Sequence, residues 1–178
     1  MSSWICKHLA LVAGLALLLV GLAVFGPWAL EQLRGRERYR VPLAEIECVP
    51  PPGLSKADFL DEVQYLGSLP DQLEFLDRQL PARLAEAFAA HPWVACVDKV
   101  EVTPPRHIQV RLTFRTPALA VPVGGKLRVV DGDGVLLPLK APATGLPRYA
   151  GQAPKPIGPT GTRWGDAGVE AVARRARQ

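Results

Sequence analysis

The chain has 178 residues, a formal charge of +4 and 48% hydrophobic residues, with 18 Pro, 16 Gly and 3 Cys. That length suits one compact domain behind an N-terminal extension, and the three scattered cysteines Cys6, Cys48 and Cys96 exclude a disulfide-built scaffold or a cysteine zinc site. The positive charge gathers at Arg34–Arg40 and Arg174–Arg177 with no basic stripe interleaved with aromatics, which argues against a nucleic-acid partner.

Residues 1–8 form a short tail. From Leu9 through Leu18 to Leu30 there is no charged residue. About 20 apolar residues in a helix cross a hydrocarbon core, so 9–30 reads as a transmembrane helix, with Trp28 at headgroup level. A cleavable signal peptide has an apolar region of only about 7–15 residues, and Pro27-Trp28-Ala29 is a poor cleavage site, so an uncleaved anchor is expected. Residues 31–42 are a basic linker with Arg34, Arg36, Arg38 and Arg40. Taken literally, the positive-inside rule puts the following part in the cytoplasm, although large domains translocate regardless of such charges.

Residues 43–117 read as one unit. Leu43–Val49 is a short strand stopped by Pro50-Pro51-Pro52-Gly53. Ser55 with Asp58 three residues on resembles a capping box. Phe59, Leu60, Val63 and Leu66 then recur at helical spacing until Gly67 and Pro70. A second helix is expected over 71–90, with Leu73, Leu76, Leu80, Leu84 and Phe88 on one face and a kink or break at Pro81. His91-Pro92 ends it, because the residue before proline is pushed out of helical angles. Trp93–Thr103 reads as a strand with a bulge near Val97-Asp98. Pro104-Pro105-Arg106 turns the chain, and Ile108, Val110, Leu112 and Phe114 alternate with polar residues as in a strand buried on one face.

Residues 118–137 extend this with a β-hairpin, Ala118–Val123 and Leu127–Val130 joined by Gly124-Gly125. Val135–Leu137 follows the turn Asp131-Gly132-Asp133-Gly134. Residues 138–163 are a Pro/Gly-rich linker, and 164–178 begin a helix after Asp166. The expected fold class is α+β: a transmembrane helix, a β-α-α-β-β domain, a short hairpin and a Pro/Gly-rich tail.

The side-chain chemistry points away from catalysis. His8, His91 and His107 form no metal-ligand spacing. A calcium loop beginning at Asp131 would need an acidic ligand where Val135 stands and a glutamate where Pro142 stands, so Asp131–Gly134 reads as a turn. Glu45, Glu47, Asp58, Asp61 and Glu62 fall on exposed faces with no pocket implied, and Gly124-Gly125 lacks the residues of a phosphate loop. No catalytic residue, metal, cofactor or small-molecule substrate is expected.

Phe88, His91-Pro92-Trp93-Val94, Val100, Val102 and Pro105 carry a resemblance. So do Ile108, Val110, Leu112, Arg115-Thr116-Pro117-Ala118-Leu119-Ala120 and Val130–Leu137. In these residues and in element order the chain resembles the POTRA domain and following hairpin of the FtsQ/DivIB cell-division family. The resemblance is specific across about residues 88–137. It implies a single-pass protein of the inner membrane with an extracytoplasmic POTRA-like domain. It also implies a non-enzymatic role in septation as a divisome scaffold, with the bilayer and other membrane-anchored division proteins as partners. Strand addition at a sheet edge, or helix packing on the sheet, is the expected contact. The alternative is a POTRA module of an outer-membrane assembly or secretion system, binding client polypeptides.

Overall fold

The computed structural model describes residue 8, residues 14–26 and residues 39–177. Residues 14–26 are helical (α1), which is about 20 Å of helix against roughly 30 Å of hydrocarbon. Among the described residues no helix is long and apolar enough to cross a membrane. This overturns both the transmembrane helix in the expected fold and the single-pass inner-membrane localisation built on it. Leu18 lies in α1 with its side chain exposed, while Leu9, Trp28 and Leu30 lie outside the described residues.

The α+β character holds, but the sheets differ from expectation. Among the described residues there are three two-stranded antiparallel sheets. The first pairs β1 (Arg40–Pro42) with β2 (Gln72–Glu74). The expected strand over 43–49 is instead a 3-10 turn at Leu43–Glu45 and one parallel bridge, Glu47 to Gln109. Pro50-Pro51-Pro52 follows at once and supplies no backbone donors with which to extend the pairing.

Helix α2 (Lys56–Gly67) begins as its sequence dictates: the Ser55 hydroxyl accepts from the Asp58 N–H at 3.1 Å and donates to the Asp58 carboxylate at 2.7 Å. Ser55→Ala should cost about 1 kcal/mol of stability, measurable by urea denaturation. The expected long second helix is shorter. Residues 72–74 are strand β2, and α3 spans only Leu80–Ala89, with Pro81 in its first turn. Proline fits that position, where its missing N–H has no helical partner to lose, so it starts the helix here instead of kinking it. Gly67 lies against Ala87 of α3 so closely that a Cβ there would overlap the Ala87 side chain. Gly67→Ala should therefore force the helices apart at about 1–3 kcal/mol, seen as a lowered Tm.

Strand β3 (Val94–Thr103) pairs with β4 (His107–Phe114), and the register shifts between Val97 and Lys99, so Asp98 is a bulge residue. The two helices and this sheet enclose the main core, including Phe59, Val63, Leu84, Phe88, Ile108 and Val110. Phe59 packs against both Phe88 and Phe114 with ring centroids under 6 Å apart, at 5.8 and 5.9 Å.

Strands β5 (Pro117–Val123) and β6 (Lys126–Asp131) form the third sheet. Gly124 and Gly125 both take positive φ, 56° and 76°, as a two-residue hairpin turn of the mirror-image type requires. Residues 138–163 hold no helix or named strand, yet they return twice to this sheet. The Ala120 N–H donates to the Pro147 carbonyl and the Ala120 carbonyl accepts from the Tyr149 N–H, both at 2.9 Å, across the Arg148 bridge, and the Leu136 N–H donates to the Thr162 carbonyl at 2.8 Å. Helix α4 (Ala167–Ala176), capped by the Asp166 carboxylate on the Val169 N–H at 2.9 Å, closes a second core around Trp164. A third cluster joins the layers: Trp93 packs with Val129, Leu137 and Ala141.

Candidate functional site

The residues singled out in the sequence divide into two buried joints and one exposed edge. Phe88, Val94 and Val110 are buried core, and Leu112 packs partly buried against them. Pro92 lies in the short connection from α3 to β3, Pro105 sits in the β3–β4 turn, and Pro117 opens β5.

The first joint is His91, buried between α2 and the start of β3. The Trp93 N–H donates to its Nδ1 at 3.3 Å, so the proton sits on Nε2, which donates to the Glu62 carboxylate at 3.0 Å. The Phe59 ring meets it edge-on at 4.8 Å. Burial pulls the His91 pKa below its ordinary 6.5, and the Glu62 carboxylate offsets part of that. The folded chain therefore binds fewer protons than the unfolded one just below pH 6.5, and stability falls as pH drops through that window. Protonating Nδ1 also removes the acceptor for Trp93. Urea denaturation at pH 7.5 and 5.5 should show this loss, at most about 1.4 kcal/mol per pH unit for one proton, and His91→Gln should flatten it.

The second joint is Arg115 with Asp131, at 2.8 Å, with Asp131 buried and Arg115 partly buried. Asp131 Oδ1 also accepts from the N–H groups of Asp133 at 2.9 Å and Val135 at 2.8 Å. The turn Asp131-Gly132-Asp133-Gly134 is thus held by its own first carboxylate. Gly134 has φ of 78° and lies against Glu170, while Asp133 pairs with Arg177 at 3.1 Å.

The exposed edge is β3. One side pairs with β4, and α3 covers part of one face. Among the described residues, no backbone hydrogen bond reaches its outer edge beyond Val94. The Val110 N–H donates to the Glu47 carbonyl at 2.8 Å, away from β3. Backbone groups alternate sides along a strand. Gln109 and Arg111 therefore bond Glu101 and Lys99 of β3, and Val100 and Val102 turn their N–H and C=O outward. Lys99 and Arg111 both pair with Glu101 on the solvent face and hold its carboxyl below the usual range, the Lys99 hydrogen bond most of all.

Sequence pattern located β3 and its bulge but not its free side, because pairing order depends on which strand returns beside β4. A groove of about 510 Å³ beside β4 is lined by Cys48, Lys56, Asp98 and Arg111. Two of its charged groups are engaged elsewhere: Asp98 accepts from Thr113, and Arg111 holds Glu101. Burial pushes the Cys48 thiol up, away from the reactive thiolate. Among the described residues no cluster of three His, Cys, Asp or Glu could hold a metal ion. No protein-family model, curated protein or solved structure matches this chain.

Proposed function

We propose that this chain is a non-enzymatic docking protein of cell division, of the FtsQ/DivIB kind. It binds membrane-anchored division proteins by accepting an extended segment of theirs along the outer edge of β3. The observation that carries this reading is the open edge itself. The strand has ten residues, and outward-facing backbone groups at Val100 and Val102 have no partner among the described residues. An unpaired edge offers a ready row of donors and acceptors for a further strand. The link to division rests on the resemblance of residues 88–137. The His91 joint supports a docking role, since it ties the entry of β3 to α2 and a preorganised edge loses little entropy on binding.

The test is site-specific photocrosslinking in dividing cells. A crosslinker at Thr103, beside the edge, should capture a division protein, while one at the exposed Tyr65 of α2 should not. Val102→Pro, which removes an outward N–H, should abolish the Thr103 capture. If Thr103 captures no division protein, or Tyr65 captures the same one equally well, the reading is wrong.

A further inference from the structure

We infer that β3 pairs antiparallel with β3 of a second copy of this chain, about a two-fold axis at Val100. The argument is the self-complementarity of the strand. Val100 and Val102 lie opposite the buried Val110 and Ile108, so they face the helices. Lys99 and Glu101 lie opposite Arg111 and Gln109 and face solvent. Val97, opposite Leu112, is back on the helix side, with the bulge residue Asp98 between.

A two-fold at Val100 therefore places like faces together throughout. Val100 meets Val100 of the second copy, and their outward N–H and C=O groups exchange two hydrogen bonds. Lys99 meets Glu101 of the second copy, and Glu101 meets its Lys99, giving two opposite-charge cross-strand pairs. Val102 meets Val97 of the second copy across the bulge. In the isolated chain Lys99 holds the Glu101 of its own strand, so pairing exchanges one ion pair for an equivalent one and Arg111 stays in place. The bulge at Asp98 ends the regular ladder on both sides. The contact is isologous and closes, so it makes a dimer and not a fibre.

This pairing would occupy the edge that the docking reading gives to a partner, so the two would compete. It does not rest on that reading, because its test contains this chain alone. The full chain, dispersed in a nonionic detergent because α1 exposes leucines and a phenylalanine, is labelled as donor and acceptor. Association is then measured by energy transfer over a concentration series. Lys99→Glu puts two acids on each strand and Glu101→Lys two bases. Each variant alone should dimerise about tenfold more weakly or worse. Mixed together, they should regain wild-type association, since every cross-strand pair is again opposite in charge. Circular dichroism checks that both variants fold. The inference is overturned if the wild-type chain stays monomeric at the highest concentration reached. It is equally overturned if either variant associates as well as wild type, as association through α1 would produce, or if the mixture is no tighter than its components.

Discussion

Replacing Trp93 by alanine should lower the unfolding free energy by about 3–5 kcal/mol, the range for removing a buried tryptophan. Only 3% of Trp93 is exposed, and its ring fills the seam between the helix-bearing layer and the sheet of β5 and β6, against Val129, Leu137 and Ala141. Leu54 and Phe114 pack on the same cluster. Collapse into the vacated space is limited on one side, because the backbones of Leu137 and Val129 are tied together, Leu137 N–H to Val129 carbonyl at 2.8 Å. The layers should then lose their common cooperative transition. Urea denaturation followed by circular dichroism should show a lower midpoint and a broadened or two-step curve. A loss below about 1 kcal/mol with a single sharp transition would mean the layers are held by something other than this seam.

Asp131→Ala should also be damaging, at about 2–4 kcal/mol, because it strands a largely buried cation. The Arg115 guanidinium loses its carboxylate partner, and its Nε already lacks a hydrogen-bond partner among the described residues. The N–H groups of Asp133 and Val135 lose their acceptor too. Asp131→Asn, which keeps an acceptor for those two N–H groups, should cost less. The double change Asp131→Ala with Arg115→Met should cost clearly less than the sum of its parts, since no charge is then left buried alone. Thermal or urea denaturation of the four variants would measure the coupling, and simple additivity would show that Arg115 and Asp131 act independently.

The same turn shows where sequence reading reached and where it stopped. Asp-Gly-Asp-Gly announced a turn through the glycine at positive φ, a local steric requirement visible in any window of the chain. That Asp131 is paired with Arg115, sixteen residues away, follows from β5 and β6 bringing the two ends of a hairpin together. His91 is similar. Its role as a helix stop is written in the proline that follows it. Its burial against Glu62 depends on α2 crossing beneath it, twenty-nine residues earlier in the chain.

Alone, the sequence determined the local elements. The Ser55 cap, the alternation of β4, the bulge at Asp98, the Gly124-Gly125 hairpin and the Asp166 cap each depend on sterics or hydrogen bonds within a few residues. Where local signals competed, it misled. The leucines from Leu73 to Phe88 keep helical spacing, but Leu73 is buried through pairing with Val41 in a strand. Spacing alone cannot separate a buried strand position from a helix face. The apolar run after residue 8 likewise suggested a span, and among the described residues no helix is long and apolar enough to make one. Tertiary structure alone decided that Trp93 seals a seam, that Arg115 meets Asp131, and that β3 has an open edge. Each of these depends on which distant segments lie side by side. That arrangement is set by the summed burial of many apolar side chains, and no short window of sequence contains the sum.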